Sequence, residues 1–243
     1  MQAPMNRPPG TLVLLRHAQS LWNLENRFSG WADMDLSEGG IAEAHRAGRL
    51  LRDHGLRFDR AFVSPLKRAT QTLDIVRAEL GQDNLPATVD WRLNERHYGA
   101  LQGLDKAETA ARYGAEQFQR WRRGYRDTPP PLAPNDPRHP RFDARYADLP
   151  TERLPATESL EDTERRVVAY WRQAIVPHLE RGETVLVVSH GNTLRALVKH
   201  LRGLSESEVE RLEIPTGVPL VYEYRAPAIV KSYRPGLENP LET

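Results

Sequence analysis

The chain has 243 residues, of which 28% are charged and 39% hydrophobic, and its net charge is +1. That length buries the core of one domain with room for an insertion, and the charge balance gives no bulk attraction to nucleic acid or membrane. Cysteine is absent, which excludes disulfides, a thiolate nucleophile and a thiolate-held metal. The longest apolar runs, such as Leu12–Leu15 and Val185–Val188, are too short to span a bilayer.

Residues 1–10 are proline-rich, lack an apolar segment and read as a loose arm rather than a secretory signal, so a cytoplasmic location is the default. Thr11–Leu15 reads as a buried strand ending at Arg16-His17. Ser37–His54 has helical spacing, with Ile41, Ala44, Gly48 and Leu51 on one face and Gly55 as the stop. Arg60–Val63 is a short strand. Ser64-Pro65 has the chemistry of a helix start, and Leu66, Ala69, Leu73, Val76 and Leu80 form a buried stripe before Gly81. Ala87–Trp91 is a further strand.

Residues 94–156 differ in texture. They hold two short polar helices and the proline-rich stretch Thr128–Pro140, and they read as a long excursion of the kind used as a lid. Regular structure resumes with a helix over Glu158–Val176, where Leu160, Val167, Trp171 and Ile175 share a face. Thr184–Val188 is a buried strand leading into Ser189-His190-Gly191-Asn192 and a helix carrying Leu194, Leu197, Val198 and Leu201. Ser205 and Glu208 have capping-box spacing. Leu220–Tyr224 and Ile229–Ser232 are candidate closing strands, and 235–243 is a tail. Alternating strands and helices predict an α/β three-layer sandwich with a mostly parallel sheet, a catalytic domain over 11–234 and an insertion at 94–156.

Ligands of such sheets bind beyond the carboxyl ends of the strands. Arg16-His17, Glu95 and His190 all fall at predicted strand ends, and a helix start just after His190 offers free N–H groups to an anion. Of 34 basic residues, only Lys67, Lys106, Lys199 and Lys231 are lysines; an arginine fork suits phosphate or carboxylate. A neutral imidazole keeps a lone pair near neutral pH, so histidines among arginines fit phosphoryl transfer. No histidine pair has the spacing of a metal site, and basic residues are interleaved with acids, so neither a metal nor a nucleic-acid partner is expected.

Arg16-His17-Ala18-Gln19-Ser20 resembles the first signature of the histidine phosphatase superfamily, and Ser189-His190-Gly191-Asn192 resembles its second histidine motif. Asn94-Glu95-Arg96-His97-Tyr98-Gly99 continuing to Gly103 resembles the block that marks the cofactor-dependent phosphoglycerate mutases within it. Phe28-Ser29-Gly30-Trp31, Trp121-Arg122-Arg123-Gly124 and Ile214-Pro215-Thr216-Gly217 are similar to further mutase blocks. The similarity runs from about Leu12 to about Tyr224.

This resemblance implies that His17 is the phosphorylated nucleophile, that Arg16, Arg68 and His190 hold the phosphoryl group with help from Ser20 and Asn23, and that Glu95 is the general acid/base. It further implies that Tyr98, Lys106, Arg122 and Arg123 clamp the rest of the substrate, and that Ser29, Gly30, Gly191 and Asn192 complete the pocket. The implied reaction interconverts 2-phosphoglycerate and 3-phosphoglycerate, primed by 2,3-bisphosphoglycerate without metal. The implied partners are small phosphoglycerates, and relatives are often dimers. Two readings compete with it: a phosphatase of the same superfamily and a non-catalytic phospholigand-binding protein.

The chain leaves the pattern at Ala18, where a glycine is usual, and at Leu21, where a polar residue is usual. A left-handed backbone at position 18 would make alanine strained by roughly 1 kcal/mol; otherwise its methyl narrows the pocket. Leu21 is expected to pack under the loop or to shift Asn23. Ser29 replaces a common threonine and keeps the hydroxyl. The tail lacks the lysines often found there.

Overall fold

A computed structural model describes residues 8–236; most of the predicted arm and tail lies outside the described residues. Six strands form one sheet in the order β3-β2-β4-β1-β5-β6, with β1 Gly10–Arg16, β2 Arg60–Val63, β3 Ala87–Val89, β4 Thr184–Ser189, β5 Leu220–Arg225 and β6 Ala228–Tyr233. The first four strands in that order run parallel, and β5 and β6 close the sheet by antiparallel pairing. The expected α/β sandwich with a mostly parallel sheet is therefore present.

The central strands are nearly continuous apolar runs because helices cover both faces. Leu12, Leu14, Val185 and Val187 point to one face, against α6 (Leu160–Tyr170) and α8 (Gly191–Arg202). Val13, Leu15, Leu186 and Val188 alternate to the other face, against α2 (Glu38–Asp53) and α3 (Lys67–Leu80). Each such buried Leu or Val contributes about 1.5–3 kcal/mol relative to exposure. Helices α2 and α3 approach closely at Gly48, where an added Cβ would lie 2.6 Å from the Glu79 Cβ.

Several local expectations are corrected. Ile41 is 44% exposed, and Gly40 and Ala47 join Ala44, Gly48 and Leu51 on the buried face instead. Helix α3 begins at Lys67 rather than at Pro65, because the Ser64 hydroxyl is engaged in a turn with the Leu66 amide and in a bond to Asn94. Strand β3 stops at Val89, where the Asp90 carboxylate caps a 3-10 turn over Trp91–Leu93. The helix predicted over Glu158–Val176 is α6, then a π-helical turn at Trp171–Ile175, then α7 (Val176–Leu179), and its four predicted apolar residues are buried.

The excursion contains α4 (Lys106–Tyr113) and α5 (Ala115–Arg123), followed by coil and short 3-10 turns. Two further short helices are α1 (Leu21–Leu24) and α9 (Glu206–Arg211), each with a capping box. No helix among the described residues is long and apolar enough to cross a membrane.

Candidate active site

Strands β1 and β4 pair in parallel with Arg16 opposite Ser189, so the next residue of each, His17 and His190, emerges at the same sheet end. The His17 amide donates to the Ser189 carbonyl at 2.9 Å, and the two imidazoles lie 4.9 Å apart. The His17 Nδ1 is 2.7 Å from the Ala18 carbonyl oxygen. A carbonyl only accepts, so Nδ1 carries the proton and Nε2 keeps its lone pair. Burial, then Arg68 and Arg16, hold His17 well below its usual 6.5. Burial, Arg68 and His17 do the same for His190. Both rings are therefore neutral, and the first is a nucleophile by default.

The cations beside them are fixed by backbone. Arg68 is fully buried, and its guanidinium donates to the Ala32 and Gly30 carbonyls, each at 2.8 Å. Burial brings it down to about 10, which leaves it charged at neutral pH. Arg16 donates to the Ile214 carbonyl at 2.7 Å and packs on Gly191, where an added Cβ would sit 3.4 Å from the guanidinium carbon. The Arg16 and Arg68 Nε atoms, both His190 ring nitrogens and the Ser29 hydroxyl are buried without hydrogen-bond partners among the described residues. Each unmade bond costs about 1–3 kcal/mol. A tetrahedral anion with several oxygens would accept from the two arginine Nε–H groups, the Ser29 hydroxyl and the one protonated nitrogen of His190.

Glu95 is placed by a loop that β4 and α8 clamp. Ser189 donates to the Leu93 carbonyl at 2.7 Å and Thr193 to the Asn94 carbonyl at 2.5 Å. The Glu95 carboxylate accepts from its neighbour's amide at 2.8 Å and from the Asn192 amide at 3.1 Å, at the positive end of α8. Its carbonyl accepts from the Trp31 indole at 2.6 Å and from Arg166 at 3.0 Å. Arg166 is itself in a buried bidentate pair with Glu158. The carboxylate is thus held from both ends.

Above lies a cavity of about 120 Å³ lined by Arg16, Asn23, Ser29, Glu95, Tyr98, Lys106, Arg122, Arg123, Gly191 and Asn192. The Asn192 amide nitrogen donates to the Tyr98 hydroxyl at 2.9 Å, and Arg195 donates to the Asn192 carboxamide oxygen at 2.8 Å. This fixes the carboxamide's orientation and leaves the Tyr98 proton free to donate into the cavity. Arg96, fully buried, ties down α5 by donating to the Trp121 and Arg122 carbonyls at 2.6 and 2.9 Å. Burial, then Arg122 and Arg16, bring the Lys106 ammonium down to about 8. Neither Lys106 nor Arg122 is in a salt bridge among the described residues.

Ten of the fifteen sequence-predicted residues line this cavity; His17, Arg68 and His190 are buried outside its lining, and two others have different duties. Ser20 does not line the cavity; its hydroxyl caps α1, with Asn23 as the reciprocal partner. Gly30 also lies off the cavity, and its carbonyl anchors Arg68. Ala18 is not strained, since Asn26 is the one non-glycine residue with positive φ among the described residues, and its methyl packs with Leu36 and Ala44. Leu21 does not pack under the loop; it is 42% exposed at the start of α1. Sequence reasoning missed Arg27, Phe28, Arg195, Glu213 and Ile214 in the cavity wall. Arg195 could have been found one helical turn after Asn192, and Ile214 opens a block already noted as family-like.

The family model described as Histidine phosphatase superfamily (branch 1) matches residues 12–138 and 132–230. The chain is 57% identical over 212 residues to the 2,3-bisphosphoglycerate-dependent phosphoglycerate mutase of Nitrosococcus oceani, covering 87% of this chain and 88% of the relative. Its fold is similar to the crystal structure of phosphoglycerate mutase from Bacillus anthracis, with a TM-score of 0.65 at 22% identity, covering 93% of this chain and 92% of the other. A mycobacterial glucosyl-3-phosphoglycerate phosphatase solved with VO3 is similar too, with a TM-score of 0.64 at 26% identity over 88% and 92% of the two chains.

Proposed function

We propose that this chain, which belongs to the histidine phosphatase superfamily, interconverts 2-phosphoglycerate and 3-phosphoglycerate through a phosphohistidine at His17. The observation that carries the reading is the free Nε2 of a neutral, buried His17 beside two backbone-fixed arginines, with Glu95 in the wall of a cationic cavity. When bound, 2,3-bisphosphoglycerate supplies the phosphoryl group that charges His17, and the unpartnered donors of Arg16, Arg68 and Ser29 fit such an anion.

His17 Nε2 forms the bond to phosphorus as the ester oxygen leaves. Arg16, Arg68, His190 and the α8 amides neutralise the transferring oxygens, in a geometry set before substrate arrives. Glu95 returns a proton to the departing oxygen and removes one from the hydroxyl that takes the phosphoryl group back. Tyr98, Lys106, Arg122 and Arg123 hold the carboxylate and the distal phosphate.

Water and a substrate hydroxyl compete for the same phosphohistidine, so phosphatase activity is the alternative fate. Segment 94–156, read as an insertion in one catalytic domain over 11–234, acts as a lid that favours the hydroxyl by excluding water. The reaction belongs to glycolysis and gluconeogenesis, and a cytoplasmic location follows from it. Assay of the purified protein with 3-phosphoglycerate, with and without 2,3-bisphosphoglycerate, is the test. Primer-dependent formation of 2-phosphoglycerate faster than phosphate release is expected; a folded protein without primer-dependent isomerisation contradicts the reading.

A further inference from the structure

Glu213 lies in the cavity wall in the loop after α9, with an exposed side chain. Its carboxylate forms a salt bridge with the Arg123 guanidinium, one of the cations assigned above to the substrate. A carboxylate of the chain thus sits on one of the cavity's anion-binding forks.

A pair of this kind could serve to position Arg123, but other groups already do that. Arg96 fixes the Trp121 and Arg122 carbonyls, Arg195 donates to the Arg123 carbonyl at 3.3 Å, and Arg123 itself reaches the Leu212 carbonyl at 3.4 Å. The end of α5 is held without Glu213. What the Glu213 side chain adds is negative charge on the fork, and an exposed ion pair is weak enough to give way. A ligand anchored at the His17 end presents its second anion to Arg123 at high effective concentration, which favours the exchange.

We propose that Glu213 is an intramolecular competitor for Arg123, a carboxylate that occupies the fork until a substrate anion displaces it and that thereby sets the affinity for phosphoglycerate. The proposal rests on the functional reading above, since it takes 3-phosphoglycerate as its probe. Titration calorimetry of the intact protein with 3-phosphoglycerate, without primer, tests it independently of turnover.

Glu213→Gln is expected to tighten binding roughly two- to fivefold, the range set by an exposed pair. Arg123→Met still binds, more weakly, through Arg16, Arg68, Lys106 and Arg122, and in that background Glu213→Gln brings no further gain. Equal or weaker binding by Glu213→Gln overturns the proposal, as does a gain that persists without Arg123. Wild-type protein that binds yet does not isomerise contradicts the functional reading alone. Binding by neither wild type nor Glu213→Gln contradicts both.

Discussion

The buried floor of the site, largely outside the cavity lining, and the rim of the cavity are built differently. At the floor, His17, His190 and Arg68 are buried, and the arginines Arg16 and Arg68 are fixed by backbone carbonyls at strand and loop ends. At the rim, Lys106, Arg122 and Arg123 come from the excursion, are only partly buried and, apart from Arg123, make no salt bridge among the described residues. The floor accepts a standing cost in unmade hydrogen bonds to be preorganised for one phosphoryl group. The rim keeps partly exposed cations on long side chains, suited to a ligand whose second anion changes position between two isomers. Preorganisation serves the chemistry, and adjustable charge serves the exchange of substrate and product.

The sharpest way to break this comparison is at the group between the two ends. Glu95→Gln keeps the size and an oxygen to accept from the Asn192 and Arg96 amides but loses the proton carrier. Turnover is expected to fall about 10²- to 10⁴-fold, with a denaturation midpoint close to wild type. A loss under tenfold would remove Glu95 from proton transfer.

Next in size is the support behind the floor. Arg166→Met leaves the buried Glu158 carboxylate without its counter-charge and removes one of the two donors to the Glu95 carbonyl, so denaturant unfolding is expected to show a loss of about 3–5 kcal/mol. Arg122→Met at the rim should leave stability within about 0.5 kcal/mol and instead raise KM. Equal destabilisation by the two variants would erase the distinction between floor and rim.

The smallest effect is a pH dependence. With Lys106 brought down to about 8, its charge is present below that pH and lost as pH rises through it, so KM should climb above about pH 8. Lys106→Arg keeps its charge and should move that climb to higher pH. An unchanged profile would exclude Lys106 as its source.

The floor was legible in the sequence because it is local. A buried apolar strand that stops at a histidine leaves that side chain at the sheet's carboxyl edge, and the two histidines meet as soon as β1 and β4 pair. Sheet order brings Glu95 to the same edge. The rest needed three dimensions. Nothing in the spacing of Gly30 said that its carbonyl would serve Arg68, or that Ser20 would cap a helix instead of meeting substrate. Ile41 failed because α2 buries its Gly40–Ala44–Ala47–Gly48 face, where Gly40 lies against the Gln19 backbone and Gly48 permits the close approach to α3. Glu213 was invisible because an exposed loop carboxylate acquires meaning only from the arginine it meets.

The central claim is that His17 carries the phosphoryl group, and its most direct test is intact mass after incubation with 2,3-bisphosphoglycerate. Wild-type protein should gain the mass of one phosphoryl group, labile to acid, and His17→Ala should gain none. Equal labelling of the two proteins, or no labelling of a folded wild type, would contradict the account.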